Sequence, residues 1–253
     1  MPTALITGAS AGLGHAFARH LADRSHDLVL VARDERRLEQ VAAPAREAGR
    51  DVEVIVADLS TIEGCGHVER RISDGDIDLL INNAGSTTAQ PFPGSDLDAK
   101  QAELDLMVRT TMRLTHAALP PMLDRRRGGV LNVSSIAAWM PGGTYSAAKA
   151  WVTTFTESLA VELQGTGVHA TALCPGLVHT EFHDRAALDV SRFPEAMWLD
   201  ADDVVEAGLR DLSRGRPISV PGVLYGAARR GLQFSPHAVK RRVVSARPRS
   251  RGF

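Results

Sequence analysis

The sequence predicts an α/β fold: a doubly wound parallel sheet of about seven strands with helices on both faces. Two observations carry that expectation. Short, nearly continuous apolar runs recur along the chain, too short for buried helices and apolar enough for strands covered on both sides. Between them lie longer stretches whose apolar residues fall at helical spacing. The 253 residues, 44% of them hydrophobic, suit a single domain over 1–228 that buries roughly three quarters of the surface its unfolded chain exposes.

The elements follow in order. Residues 3–7 (TALIT) read as the first strand, and a glycine-rich turn with Gly8, Ser10, Gly12, Leu13 and Gly14 leads into an amphipathic helix from near Gly12. Further strands are expected at 27–33 (DLVLVAR), 51–58 (DVEVIVAD), 77–85 (IDLLINNAG), 129–135 (GVLNVSS) and 169–176 (HATALCPG). Helices are expected at 35–48 and 99–123, the second with Leu104, Val108, Thr111, Leu114, Thr115 and Ala118 along one stripe. Pro120 and Pro121 are expected to weaken or end it. Another helix carries Tyr145 and Lys149 and continues through Trp151, Val152, Phe155, Leu159 and Val161.

Composition narrows the classes of function. The net charge of −1 argues against a general nucleic-acid binder. It is unevenly spread: 229–253 carry eight basic residues and no acid, so 1–228 sum to −9. That tail is expected to be solvated and poorly ordered, and the triplet Arg125, Arg126, Arg127 to be an exposed loop. Cys65 and Cys174 are too few for a disulfide framework, which points to a reducing compartment. No apolar run is long enough to span a membrane, and strand character from Thr3 leaves no room for a signal segment. The expected setting is cytoplasmic.

Ligands of such sheets sit at the carboxyl ends of the strands. The glycine turn after the first strand lets the chain bend sharply and presents unpaired N–H groups at a helix N-terminus, suited to a pyrophosphate. In a dinucleotide fold of the Rossmann type, the end of the second strand faces the adenosine ribose. An acid there binds a 2′-hydroxyl and a guanidinium accommodates a 2′-phosphate. Arg33 therefore points to NADP(H), with NAD(H) still admissible because Asp34 follows it and a rotated loop would bring its carboxylate to the ribose.

With these residues in place the chain resembles the short-chain dehydrogenase/reductase family, of the compact single-domain type, over roughly residues 3–222. Thr7-Gly8-x-x-x-Gly12-x-Gly14 resembles its cofactor loop, Asp58-Leu59 its adenine pair, and Asn82-Asn83-Ala84-Gly85 its fourth-strand motif. Ser135, Tyr145-x-x-x-Lys149 and Pro175-Gly176 with Thr180 complete the ordered set. The resemblance implies that Asp58 and Leu59 contact adenine and that Asn83, Ala84 and Gly85 line the ribose. Pro175, Gly176, Val178 and Thr180 then hold the nicotinamide end, and Lys149 also bonds the nicotinamide ribose. Tyr145 is the implied general acid/base and Ser135 the residue that orients the substrate oxygen, with Ser134 as the substitute. The physics agrees: a lysine four residues on shares a helix face with the tyrosine and lowers a phenol pKa that is otherwise near 10.

Two departures stand out. Met107 occupies the position where many relatives have an asparagine behind the lysine, and a thioether is only a weak acceptor. Ser135 precedes Tyr145 by ten residues, a shorter connection than the family's usual one, with Pro141, Gly142 and Gly143 supplying the turn. Beyond the nicotinamide motif, Phe182, Leu188, Phe193, Met197 and Trp198, with Trp139 and Met140, suggest an apolar pocket. His179-x-Glu181-x-His183 is not a zinc-helix pattern, and no metal is expected.

The resulting expectation is an NADP(H)-dependent oxidoreductase interconverting a carbonyl and a secondary alcohol, with a lipophilic small molecule as its substrate, assembled as a homodimer or homotetramer. A nucleotide-binding sensor or scaffold with vestigial catalysis is the alternative, motivated by Met107 and the basic tail. An epimerase or dehydratase ranks third, since the chain has little room for an added substrate domain.

Overall fold

The computed structural model describes residues 1–88, 90–186 and 193–235. The first half alternates β1 (Thr3–Thr7), α1 (Gly12–Asp23), β2 (Asp27–Ala32), α2 (Glu35–Glu47), β3 (Val52–Val56), α3 (Ile62–Ser73) and β4 (Ile77–Asn82). Next come α4 (Leu97–Leu104), a π-helical turn (Asp105–Arg109), α5 (Thr110–Asp124), β5 (Gly128–Val133) and a short 3-10 turn (Ile136–Trp139). They are followed by α6 (Gly143–Glu162), β6 (Val168–Leu173), β7 (Leu177–Val178) and α7 (Phe182–Arg185). The described chain closes with β8 (Trp198–Leu199), α8 (Ala201–Ser213), β9 (Ile218–Ser219) and α9 (Val223–Phe234).

Seven strands form one sheet in the order β3-β2-β1-β4-β5-β6-β9, every neighbouring pair parallel. Strand order reverses at β1: Ile6 lies beside Leu30 of β2 on one side and Ile81 of β4 on the other. The loops after β1 and β4 diverge there, and the cleft opens between them. Each face of the sheet has its own core. Phe17, Leu21, Leu38, Val204 and Leu209 from α1, α2 and α8 cover one side. Val68, Ile72, Leu114, Met122 and Leu159 from α3, α5 and α6 cover the other. That two-sided burial explains why the strand sequences read as continuous apolar runs. A ladder of amides crosses the sheet centre: Asn82 Nδ2 donates to Asn132 Oδ1 at 2.8 Å and to Thr115 Oγ1 at 3.1 Å, and Asn132 Nδ2 donates to Thr156 Oγ1 at 2.9 Å. It ties β4 and β5 to α5 and α6.

Four expectations need correction. Several strands end one to three residues early, at Ala32, Val56, Asn82, Val133 and Leu173, because the backbone leaves the sheet there to form the cleft rim. The helix expected over 99–123 is interrupted by the π-helical turn. That extra residue shifts the buried face to Glu103, Met107 and Thr110, leaving Leu104 and Val108 half-buried, before Thr111, Leu114, Thr115 and Ala118 resume it. Pro120 and Pro121 lie inside α5, which continues to Asp124. Only two hydrogen bonds near its C-terminus are lost, so the helix tolerates them. The arginine triplet is not uniformly solvated: the half-buried Arg125 donates to the carbonyls of Gly75 (2.6 Å) and Ile77, and Arg127 pairs with Asp78 at 3.0 Å.

Arg229 and Arg230 belong to α9, while Lys240 and the later basic residues lie outside the described residues, as does Leu188. No described helix is long and apolar enough to cross a membrane.

Candidate active site

One cleft of about 1590 Å3 runs along the carboxyl ends of the strands, from Arg33 and Asp58 at one end to Phe193 and Leu232 at the other. The loop after β1 forms its floor. Gly8 takes a positive φ of 66°, and its N–H donates to the Val31 carbonyl at 2.8 Å, pinning the loop to β2. A Cβ at Gly14 would lie 2.1 Å from the Gly8 carbonyl oxygen, so only glycine lets α1 come this close. No side chain caps α1, whose entry residue Ala11 is extended, and His15 is the donor that bonds back to Ala11. An uncapped helix N-terminus facing a glycine-lined cleft suits a diphosphate.

The loop after β4 is fastened to this floor. Asn83 Nδ2 donates to the carbonyls of Thr7 (2.9 Å) and Gly8 (3.2 Å), and the Thr7 hydroxyl accepts from the N–H groups of Asn83 and Ala84. The Asn83 side chain thus holds the cradle together, while Ala84 and Gly85 face the cleft. A Cβ at Gly85 would stand 3.4 Å from Lys149 Nζ and 3.7 Å from Met107 Cγ, so both side chains reach the Gly85 backbone.

At the adenosine end Arg33 extends into solvent, its side chain 77% exposed and 4.0 Å from the Asp58 carboxylate. Asp34 is occupied differently: it caps α2 by accepting from the Arg37 N–H at 3.0 Å. Burial alone would raise the Asp58 pKa, but hydrogen bonds from the Ser60 hydroxyl and N–H, with Arg33 nearby, hold it below the usual carboxylate range. Leu59 lines the same end. Across the cleft mouth Arg37 donates to Glu181 at 2.9 Å, and Arg185 pairs with the same carboxylate. Thr180 lies over Gly12, where an added Cβ would come within 3.3 Å of the threonine side chain.

Ser135, Tyr145 and Lys149 meet on the facing wall. The Ser135 hydroxyl accepts from the Ala137 N–H at 3.1 Å and is a hydrogen-bonding neighbour of the Tyr145 phenol. Ser134 points inward instead, donating to the Lys149 carbonyl at 2.8 Å and sharing a bond with Thr153. The short connection from Ser135 to Tyr145 is spanned by the 3-10 turn, so ten residues suffice. Lys149 is buried, lies 5.7 Å from the tyrosine ring centre and donates to the Val133 carbonyl at 2.7 Å. Burial pushes the phenol up to about 12, opposed by Ser135, and pushes the lysine down to about 8. The expected lowering of the phenol by its lysine is therefore absent from this arrangement: loss of water disfavours both charged forms.

Pro175 accepts from the Ile136 N–H at 2.9 Å, which brings the segment with Gly176, Val178 and Thr180 alongside Ser135. Met140, Phe182, Phe193, Met197, Ala228 and Leu232 give the far end an apolar lining. Trp139 and Trp198 lie elsewhere. Trp139 sits under the Arg229 guanidinium, and Trp198 packs against His179 and His183. His179 also pairs with Glu195 at 2.9 Å.

Several cleft residues escape sequence reasoning. Arg37 and Glu181 look like ordinary helix charges until the fold joins them across 144 residues. Glu103, on the cleft lining, forms a buried pair with Lys100, in a stretch where acid and lysine three apart read as surface. Tyr225 lines the cleft too, and its signal was rarity, since the chain has only two tyrosines.

Comparison with known proteins agrees with this geometry. A family model described as short chain dehydrogenase matches residues 2–190. An uncharacterized oxidoreductase of Staphylococcus epidermidis is 28% identical over 222 residues, covering 86% of this chain and 93% of the relative. Sulfoacetaldehyde reductase 2 of Chromohalobacter salexigens is 35% identical over 220 residues, covering 80% and 84%. Among solved structures, a short-chain dehydrogenase from Sphingobium yanoikuyae in complex with NADPH superposes with a TM-score of 0.86 at 32% identity, covering 100% of this chain and 98% of the other. The bulky-bulky ketone specific alcohol dehydrogenase from Comamonas testosteroni gives 0.81 at 28%, covering 100% and 97%. By its ordered motifs, its sheet and these relatives, the chain belongs to the short-chain dehydrogenase family.

Proposed function

We propose that this protein is an NADP(H)-dependent oxidoreductase that interconverts a carbonyl and a secondary alcohol, with lipophilic ketones as its substrate class. The observation that carries the reading is the convergence of Ser135, Tyr145 and Lys149 on one cleft wall, between the glycine cradle and the apolar end. Gly8, Ser10, Gly12, Leu13 and Gly14 would hold the diphosphate, Arg33 the 2′-phosphate, and Asp58 with Leu59 the adenine. Asn83, Ala84, Gly85 and Lys149 would hold the ribose next to the nicotinamide, and Pro175, Gly176, Val178 and Thr180 would hold the nicotinamide end. Bound NADPH supplies a hydride.

The chain's own residues supply the proton and the geometry. Ser135 donates to the substrate oxygen and fixes it beside the phenol. With its pKa pushed up to about 12, Tyr145 keeps its proton across neutral pH and can donate it as the carbonyl becomes an alkoxide. Lys149, at about 8, is mainly an ammonium at neutral pH and stabilises the phenolate left behind. The apolar lining supports a ketone with bulky substituents, the class for which the Comamonas enzyme is specific.

NADPH consumption over aliphatic, aromatic, steroidal and acyl ketones tests the reading. Tyr145→Phe is expected to lower turnover by at least about 100-fold while leaving NADPH affinity within about twofold of wild type. Retained turnover would remove Tyr145 as proton donor. A buried methionine, Met107, near Gly85 at the position where many relatives have an asparagine favours a second reading, a nucleotide-binding sensor with vestigial catalysis. Tight NADPH binding without turnover across the panel would move the weight to it.

A further inference from the structure

Tyr225, the second tyrosine of the chain, stands at the junction of three segments that the sequence separates widely. Its ring is buried against the backbone of Gly176, so closely that a Cβ there would lie 1.9 Å from the ring carbon bearing the hydroxyl. The hydroxyl accepts from the Leu177 N–H at 3.0 Å and donates to the Met197 carbonyl at 2.7 Å. Leu177 opens β7 and Met197 immediately precedes β8, and these two strands form a parallel ladder of two residue pairs. So short a ladder has little stability of its own. A single phenol therefore completes it from α9, using both its donor and its acceptor.

The same helix is clamped a second time, where Arg229 lies 5.3 Å from the Trp139 ring centre on the turn between Ser135 and Tyr145. Ala228 and Leu232 of α9 line the cleft beside this clamp. Gly222 sets the approach with a φ of 84°, and a Cβ there would meet Leu199 at 3.0 Å, so α9 leaves β9 directly over the β7-β8 ladder.

We infer that Tyr225 is a positioning residue for the active site: it couples the segment at the nicotinamide end, 175–180, to the segment 197–199, and makes α9 a working wall of the cleft. Removing the hydroxyl while keeping the ring frees the Leu177 N–H and the Met197 carbonyl at once. A buried backbone group left without a partner is costly, so the ladder opens rather than adapting in place. The effect on turnover rests on the reductase reading above; the tie itself does not.

The test is hydrogen–deuterium exchange on full-length Tyr225→Phe with and without NADPH, alongside steady-state kinetics. Peptides covering 176–180 and 197–199 are expected to exchange about tenfold faster than in wild type without cofactor. NADPH is expected to protect them in wild type and to do so poorly in the variant, with its dissociation constant raised less than about threefold because the diphosphate and adenosine contacts lie elsewhere. Ketone KM should rise and kcat fall together. Unchanged exchange in both segments overturns the tie, and faster exchange with wild-type KM and kcat overturns its role in the site. If wild-type protein reduces no ketone, the reductase reading fails, and equal NADPH protection in both proteins would then overturn the coupling. Should Tyr225→Phe not fold, Gly176→Ala drives the ring from its seat from the opposite side and is expected to give the same faster exchange in 197–199.

Discussion

Neighbouring residues with opposite charge often compete for one role, and Arg33 and Asp34 illustrate how local structure decides between them. Asp34 is taken up as the cap of α2, whereas the Arg33 side chain is free to reach a ligand. Arg33→Glu is therefore expected to weaken NADPH by about 100-fold while leaving NADH within a few fold, since a charge-assisted contact to a phosphate is replaced by repulsion. Equal losses in calorimetric titrations of the two cofactors would remove Arg33 from the 2′-phosphate. The positions of such residues were legible because they directly follow a strand end. The motif prefers Ser135 to Ser134, and their surroundings differ: Ser135 neighbours the Tyr145 phenol, whereas Ser134 donates to the Lys149 carbonyl. Tyr225 was not legible, because both its partners are backbone groups 48 and 28 residues away.

Periodicity located α1, α2, α5 and α6 but could not see the π-helical turn at Asp105–Arg109, because one inserted residue leaves the local pattern helical and only rotates what precedes it. The rotation has a consequence for α4. It turns Glu103 inward to face Lys100, both side chains almost fully buried, with the carboxylate also accepting from the Thr88 N–H at 2.5 Å and from the Thr144 hydroxyl at 3.4 Å. One acidic side chain thereby joins α4 to the loop after β4 and to the first turn of α6, next to Tyr145. Glu103→Ala would strand the lysine in that interior and is expected to cost about 3–5 kcal/mol. Urea denaturation checks this, and Lys100→Met combined with Glu103→Leu should recover most of the loss. A single variant no less stable than wild type would show that the pair carries no such weight.

Stability of the whole molecule carries the mark of its buried lysine. Lys149 falls from its ordinary 10.5 to about 8 on burial. Between those values the unfolded chain holds a proton that the folded chain has released, so unfolding takes one up and stability climbs with pH. The cofactor-free protein is expected to gain about 2–3 kcal/mol from this group between pH 8 and 10. The Tyr145 shift acts in the opposite sense only above pH 10, its ordinary value. Chemical denaturation across this range should show the climb in wild type and its absence in Lys149→Met; an identical climb in both would assign it to other groups. The architecture was legible as a whole because two cores, one on each face, impose continuous apolar strands. Less legible was how much of the cleft comes from the far end of the described chain. The cradle is laid down by residues 8–14, but the wall that Tyr225 holds arrives with 176–178, 197–199 and finally α9. The two ends of the described chain therefore meet across one cleft, so that loss of α9 would bare the far wall while leaving the cradle's own ties to Val31 and Asn83 in place.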